Sequence, residues 1–142
     1  MDPRLREIAF GPSNNVRHFK SYFVNGYRFR VNSIDLNRVT AHSGLCVKGS
    51  VYEGEEIDYY GTLVDIVELH YGANSVVLFK GTWYDGVRVV TPHGLIEVCH
   101  TSRLHSPDVY VLAQHTHQVY YMSYPSPLPA REDWMVACKV RV

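Results

Sequence analysis

Turn residues cut this chain into short runs that only strands can fill. Asn25-Gly26 parts Tyr22-Phe23-Val24 from Tyr27-Arg28-Phe29-Arg30-Val31, and both turn residues tolerate the positive φ that a two-residue hairpin loop demands. Beyond that turn, Tyr27, Phe29 and Val31 share one face while Arg28 and Arg30 take the other. Gly72-Ala73-Asn74-Ser75 separates an apolar run from Tyr59 to Tyr71 from a second run, Val76 to Tyr84. Thr91-Pro92-His93-Gly94 reverses the chain again between Val87–Val90 and Leu95–Cys99. Val109–Ala113 and Gln118–Met122 read as strands around a polar break at Gln114–His117. Trp134, Val136, Cys138, Val140 and Val142 alternate with their neighbours as a last strand does.

Valine and tyrosine dominate these runs, a β-branched and aromatic bias that suits pleated surfaces. Helix signals are confined to Pro3–Phe10, before Gly11-Pro12. Residues 32–58 are polar and glycine-containing, and predict one strand, Leu45 to Tyr52, between long loops. The expected fold is therefore all-β and mostly antiparallel, a single curved sheet or partly open barrel with few short helical turns. At 142 residues it forms one domain: an N-terminal extension over 1–18, and a β-rich core over 19–142 with a proline-rich loop at 124–131.

Basic and acidic residues balance at 14 each, so no long-range field draws the chain to nucleic acid or lipid. Their placement is uneven. Residues 1–48 hold eight basic and three acidic side chains, whereas 49–75 hold six acidic ones and no Lys or Arg. Cys46, Cys99 and Cys138 each lie in an apolar strand context and read as unpaired thiols of a reducing compartment. With no leader pattern and no apolar run near membrane length, the sequence predicts a chain that is neither secreted nor membrane-spanning.

Catalytic arrangements are not legible. His115-x-His117 has metal-ligand spacing, but a third ligand such as His105 or Cys99 would have to come from elsewhere, and solvated loop histidines are the simpler account. Ser43-Gly44, Ser102 and the cysteines lack a nucleophile's elbow and base. The expectation is a chain with no enzyme activity, metal, cofactor or small-molecule substrate.

Aromatic clusters carry more information. Tyr59-Tyr60 and Trp83-Tyr84 fall near strand ends, and rings converging on one rim could hold a methylated ammonium by cation–π attraction. Glu55, Glu56 and Asp58 stand just before Tyr59 as an acidic rim for a basic peptide. Core packing is the competing account of the rings, since tyrosine and tryptophan normally bury them. A different face is offered by Arg17, Lys20, Arg28 and Arg30, interleaved with Tyr22 and Tyr27, which could track phosphates.

Gly11-Pro12-Ser13, the Tyr22–Phe29 hairpin, Asn37 through Ser43-Gly44 and Tyr60-Gly61-Thr62-Leu63-Val64-Asp65-Ile66-Val67-Glu68-Leu69 follow one another in an order that resembles the plant domain of unknown function 4216. Val77 to Asp85, Val111 to Tyr121 and Asp133-Trp134-Met135-Val136 continue the likeness, which thus covers nearly the whole chain. Its departures are Pro125–Pro129 and the glutamates at 53–56. The resemblance implies an origin in plant CACTA-type (En/Spm) transposons and residence in the nucleus, with no catalytic residues to carry over. A more distant likeness, in Tyr60–Leu69, Trp83-Tyr84, Val109–Ala113 and Cys138-Lys139-Val140, is to bromo-adjacent homology domains of chromatin. There, aromatic residues at the first two places line a methyl-lysine pocket, which implies Tyr60, Trp83 and Tyr84 here. The leading expectation is an interaction module reading a histone peptide through that rim. Its rivals are a structural accessory or homodimer bracing a transposase, and a DNA contact through the basic hairpin.

Overall fold

The computed structural model describes residues 16–32, 42–52, 55–90, 94–104, 110–124 and 133–141, with the backbone alone at 49–52, 55–57, 71 and 90. In chain order its strands are β1 (Val16–Phe19), β2 (Ser21–Val24), β3 (Tyr27–Arg30), β4 (Gly44–Tyr52), β5 (Glu55–Tyr71), β6 (Asn74–Val90), β7 (Leu95–Arg103), β8 (Tyr110–Leu112), β9 (Thr116–Ser123) and β10 (Trp134–Lys139). A single 3-10 turn, Ala113–His115, is the only helical element among the described residues. The expected all-β antiparallel class is observed.

β5 and β6 are long because nothing between Glu55 and Val90 halts pairing except the turn at Gly72-Ala73, where Gly72 takes φ 58°. Asp85-Gly86, which the sequence reading left between two strands, does not end β6. A register shift between Tyr84 and Gly86 absorbs the irregularity, and pairing resumes with Gly86 opposite Cys99. On β5 a second shift falls between Leu63 and Asp65, leaving Val64 without a partner in the ladder. That bulge matters for packing. With side chains alternating strictly, Leu63 and Ile66 would face opposite ways, yet one extra residue lets both enter the same core.

The large sheet runs β1-β5-β4-β9-β10-β7-β6-β8, and β5 also pairs with β6. Six strands are thereby joined in a ring of pairings, while β1 and β8 extend it along the outer halves of β5 and β6, so the sheet is partly ringed and not a simple barrel. Residues 16–18, expected as part of an extension, belong instead to β1, paired with β5 from Val16–Leu69 to Phe19–Ile66. The helical turn expected at Pro3–Phe10 and the proline-rich loop lie outside the described residues.

Two cores sit on opposite sides of β4, β5 and β6. Inside the ring, Cys46, Tyr60, Tyr84, Val98, Val119, Met135 and Ala137 pack together, with Tyr121 and Ile96 against them. Outside it, the second sheet, β2 paired with β3, lies over Leu45, Leu63, Ile66, Phe79 and Trp83. Asn25 and Gly26 take φ 56° and 81°, the left-handed pair the sequence predicted. Phe29 is fully buried edge-on to Phe79 with centroids 4.9 Å apart, which stabilises the docked hairpin by about 1.5–3 kcal/mol.

Glycine makes the strand crossings tight. An ideal Cβ built on Gly44 would stand 2.0 Å from the Val119 carbonyl oxygen on the neighbouring strand. Gly44→Ala is therefore expected to force β4 from β9 and to destabilise the domain by about 2 kcal/mol or more, measured as a lowered midpoint in urea unfolding.

Candidate functional site

The four aromatic residues expected at one rim are separated by the sheet itself. Tyr60 and Tyr84 point into the ring, at 2% and 5% exposure. Trp83, adjacent to Tyr84, must face the other way and lies at 3% exposure in the core beneath the hairpin. Its indole spreads over Gly61 and Gly81, where an added Cβ would come within 2.9 Å of the ring. Tyr59 is the one exposed member, at 47%. The aromatic cage is thus corrected: a cation–π pocket needs ring faces open to the ligand, and three of these four rings are covered by other side chains.

Their polar atoms explain the burial. Tyr84 and Thr62 hydroxyls bond at 3.1 Å, Tyr121 donates to the Gly61 carbonyl at 2.7 Å, and the Tyr84 and Tyr121 rings meet edge-to-face at 5.5 Å. With hydroxyls satisfied, tyrosine behaves as a large core residue. Trp83 Nε1 differs, being buried with no partner among the described residues.

The acidic rim is weaker than the sequence implied. Asp58 is half-buried and lies 3.6 Å from Lys139 Nζ, so a basic partner would have to displace that lysine. Glu55 and Glu56 are on β5 opposite Tyr52 and Val51, and their side chains lie outside the described residues. His115 and His117 are exposed, and no group of three or more metal-ligating side chains occurs among the described residues. Cys46, Cys99 and Cys138 are free thiols.

The basic hairpin keeps its solvent face. Arg28 and Arg30 alternate outward from buried Tyr27 and Phe29, and Arg17 and Lys20 are exposed beside them. Arg17 stands across from Glu68, while Arg28 and Arg30 have no acidic partner among the described residues. Tyr22 and Tyr27, taken as interleaved aromatics, turn inward instead: Tyr22 meets Phe79 edge-on, and Tyr27 donates to the Val140 carbonyl at 3.2 Å. The outward ring is Phe23, directly opposite Arg28 and 67% exposed. Its signal was present in the sequence, since a two-residue loop at Asn25-Gly26 fixes Phe23 against Arg28 on the arginine face. The hairpin is held from behind by Asn25 Nδ2 donating to the Gln114 carbonyl at 2.8 Å and Gln118 Nε2 donating to the Arg28 carbonyl at 2.6 Å.

A second surface lies on the outside of the ring. Glu97 is fully buried there, accepting from Arg88 Nε at 2.9 Å and from the Tyr124 hydroxyl. The Arg88 guanidinium also stacks 3.8 Å from the Trp134 ring centre. One ion pair thereby clasps Tyr124 and Trp134, the residues on either side of the proline-rich segment. Beside it Tyr120, Met122 and Leu95 are exposed.

An antiparallel ringed sheet with a tyrosine-filled interior and a docked basic hairpin defines the class of this domain. Residues 67–137, from the middle of β5 to β10, match the family described as Domain of unknown function (DUF4216). This is half of the chain, which belongs to that family. The hairpin lies outside the matched segment. No curated protein and no solved structure matches the chain.

The interior also sets an alkaline limit. Burial, then the nearby Cys46 and Asp58, push the Tyr60 hydroxyl above its ordinary 10.0, and burial, then Tyr84, Cys46 and Tyr60, push Tyr121 well above it. Burial raises the Cys46 thiol from 9.0, aided by Asp58. The fold keeps protons that the unfolded chain loses, so this stability is complete below about pH 9 and falls as pH rises through 10 and beyond. Tyrosinate absorbance is expected to grow first from exposed residues, with Tyr60 and Tyr121 ionising only as the domain unfolds, and Tyr121→Phe is expected to remove its share of the late phase.

Proposed function

We propose that this domain is a non-catalytic interaction module that contacts nucleic acid through the outward face of the β2–β3 hairpin. The observation that carries the reading is the exposed Phe23 set among Arg28 and Arg30, on a hairpin whose opposite face is fixed in the core. Cations recognise phosphates, and an exposed ring between them offers a surface for bases. Zero net charge fits a short-range contact without long-range steering, with a dissociation constant on the order of 10⁻⁵ M at low salt. In the resemblance to CACTA-associated proteins, the same reading makes the domain a nuclear accessory to a transposon's DNA-handling machinery.

The test is a mobility shift with short DNA. Binding is expected to weaken roughly ten- to forty-fold between 50 and 200 mM salt if about three phosphates are engaged. Arg28→Glu with Arg30→Glu is expected to abolish it while leaving the circular dichroism spectrum unchanged. Binding that survives both reversals rejects the hairpin as the contact.

Exposed Leu95, Tyr120 and Met122 outside the ring favour a second reading, self-association through β7, β10 and β9. Light scattering would then report a dimer that Met122→Asp converts to monomer. A monomer at high concentration of the unaltered protein removes this reading.

A further inference from the structure

We infer that the hairpin face selects single-stranded over duplex nucleic acid, with one unstacked base lying on Phe23 while Arg28 and Arg30 hold adjacent phosphates. This rests on the reading of the hairpin as a nucleic-acid contact and names its substrate class. Phe23 is the most exposed of the large apolar side chains described, and no other ring packs on it among the described residues. Its cross-strand partner is Arg28, and Arg30 follows on the same face about 7 Å along the strand, close to the step between phosphates of an extended chain.

Two constraints decide between single strand and duplex. A free two-stranded ribbon can enter the major groove, about 12 Å wide. This hairpin cannot act as one. Its inner face is occupied by Tyr22, Val24, Tyr27 and Phe29 packed on the main sheet, so it presents a flat surface backed by the body of the domain. Duplex bases are also stacked and paired, with their faces closed, whereas every base of a single strand has an open face for an aromatic ring. The second constraint is rigidity. The Asn25-Gly26 turn, the Asn25 and Gln118 hydrogen bonds and the Phe29–Phe79 contact fix ring and guanidinium backbones before any ligand arrives. Little ordering cost is then left for binding.

The experiment is fluorescence anisotropy at low salt with the full chain, a short labelled oligothymidylate and a blunt duplex of equal length. The single strand is expected to bind about ten-fold tighter or more than the duplex. Phe23→Ala should erase that preference and leave weak, salt-sensitive binding to both probes, whereas Phe23→Trp should retain it. At 67% exposure the position tolerates either change without loss of fold. Equal affinity for both probes, unaltered by Phe23→Ala, or tighter binding of the duplex, overturns the stacking inference and leaves the charge-based contact standing. Binding of neither probe, or equal displacement by an acidic peptide, overturns both.

Discussion

The pairing of β5 with β6 is the constraint on which the rest of this domain depends. That ladder runs from Gly61–Trp83 to Tyr71–Asn74 and forms a wall common to both cores. Tyr60 and Tyr84 fill the ring on one side of it, and Trp83, Leu63 and Phe79 support the hairpin on the other. The wall can be shared only because Gly61 and Gly81 lie flat under the indole. A side chain at either would lift Trp83 from the sheet. The unpaired Val64 then turns Ile66 into the hairpin's core, so one inserted residue fixes where the cationic surface stands relative to the ring.

Local features of the fold were legible in the sequence, and closure was not. Asn25-Gly26 and Gly72-Ala73 announced their hairpins because turn geometry is decided by a few adjacent residues. The run through Asp85-Gly86 and the strand at Val16–Phe19 depend on partners far along the chain, at Cys99 and at Ile66–Leu69, and no local pattern reports those. The same holds for the aromatics. Alternation correctly separates Trp83 from Tyr84, but which face is covered is settled by β9, β10 and the hairpin arriving from elsewhere. A tyrosine next to a strand end reads as exposed when its hydroxyl partner, such as Thr62 or the Gly61 carbonyl, is not yet known.

For the basic hairpin the sequence held more than composition conveys. Counting cations finds Arg17, Lys20, Arg28 and Arg30, yet only register distinguishes them: Arg17 faces Glu68, whereas Arg28 faces Phe23. Two residues of equal charge thus have different work to do. The division of labour across the domain follows: hydroxyl-bearing rings are held neutral in the interior, the Arg88–Glu97 pair braces the surface around Tyr124 and Trp134, and unpaired guanidiniums are left for solvent and ligand.

The position of β10 between β9 and β7 has a consequence for how the protein is made. On the ribosome, a nascent chain that has not yet released residues 134–139 can complete neither neighbour, and Val98, Val119 and the interior tyrosines remain wet until it does. Synthesis must nearly reach the last strand before the domain can seal, which leaves a growing polypeptide that needs shelter until then.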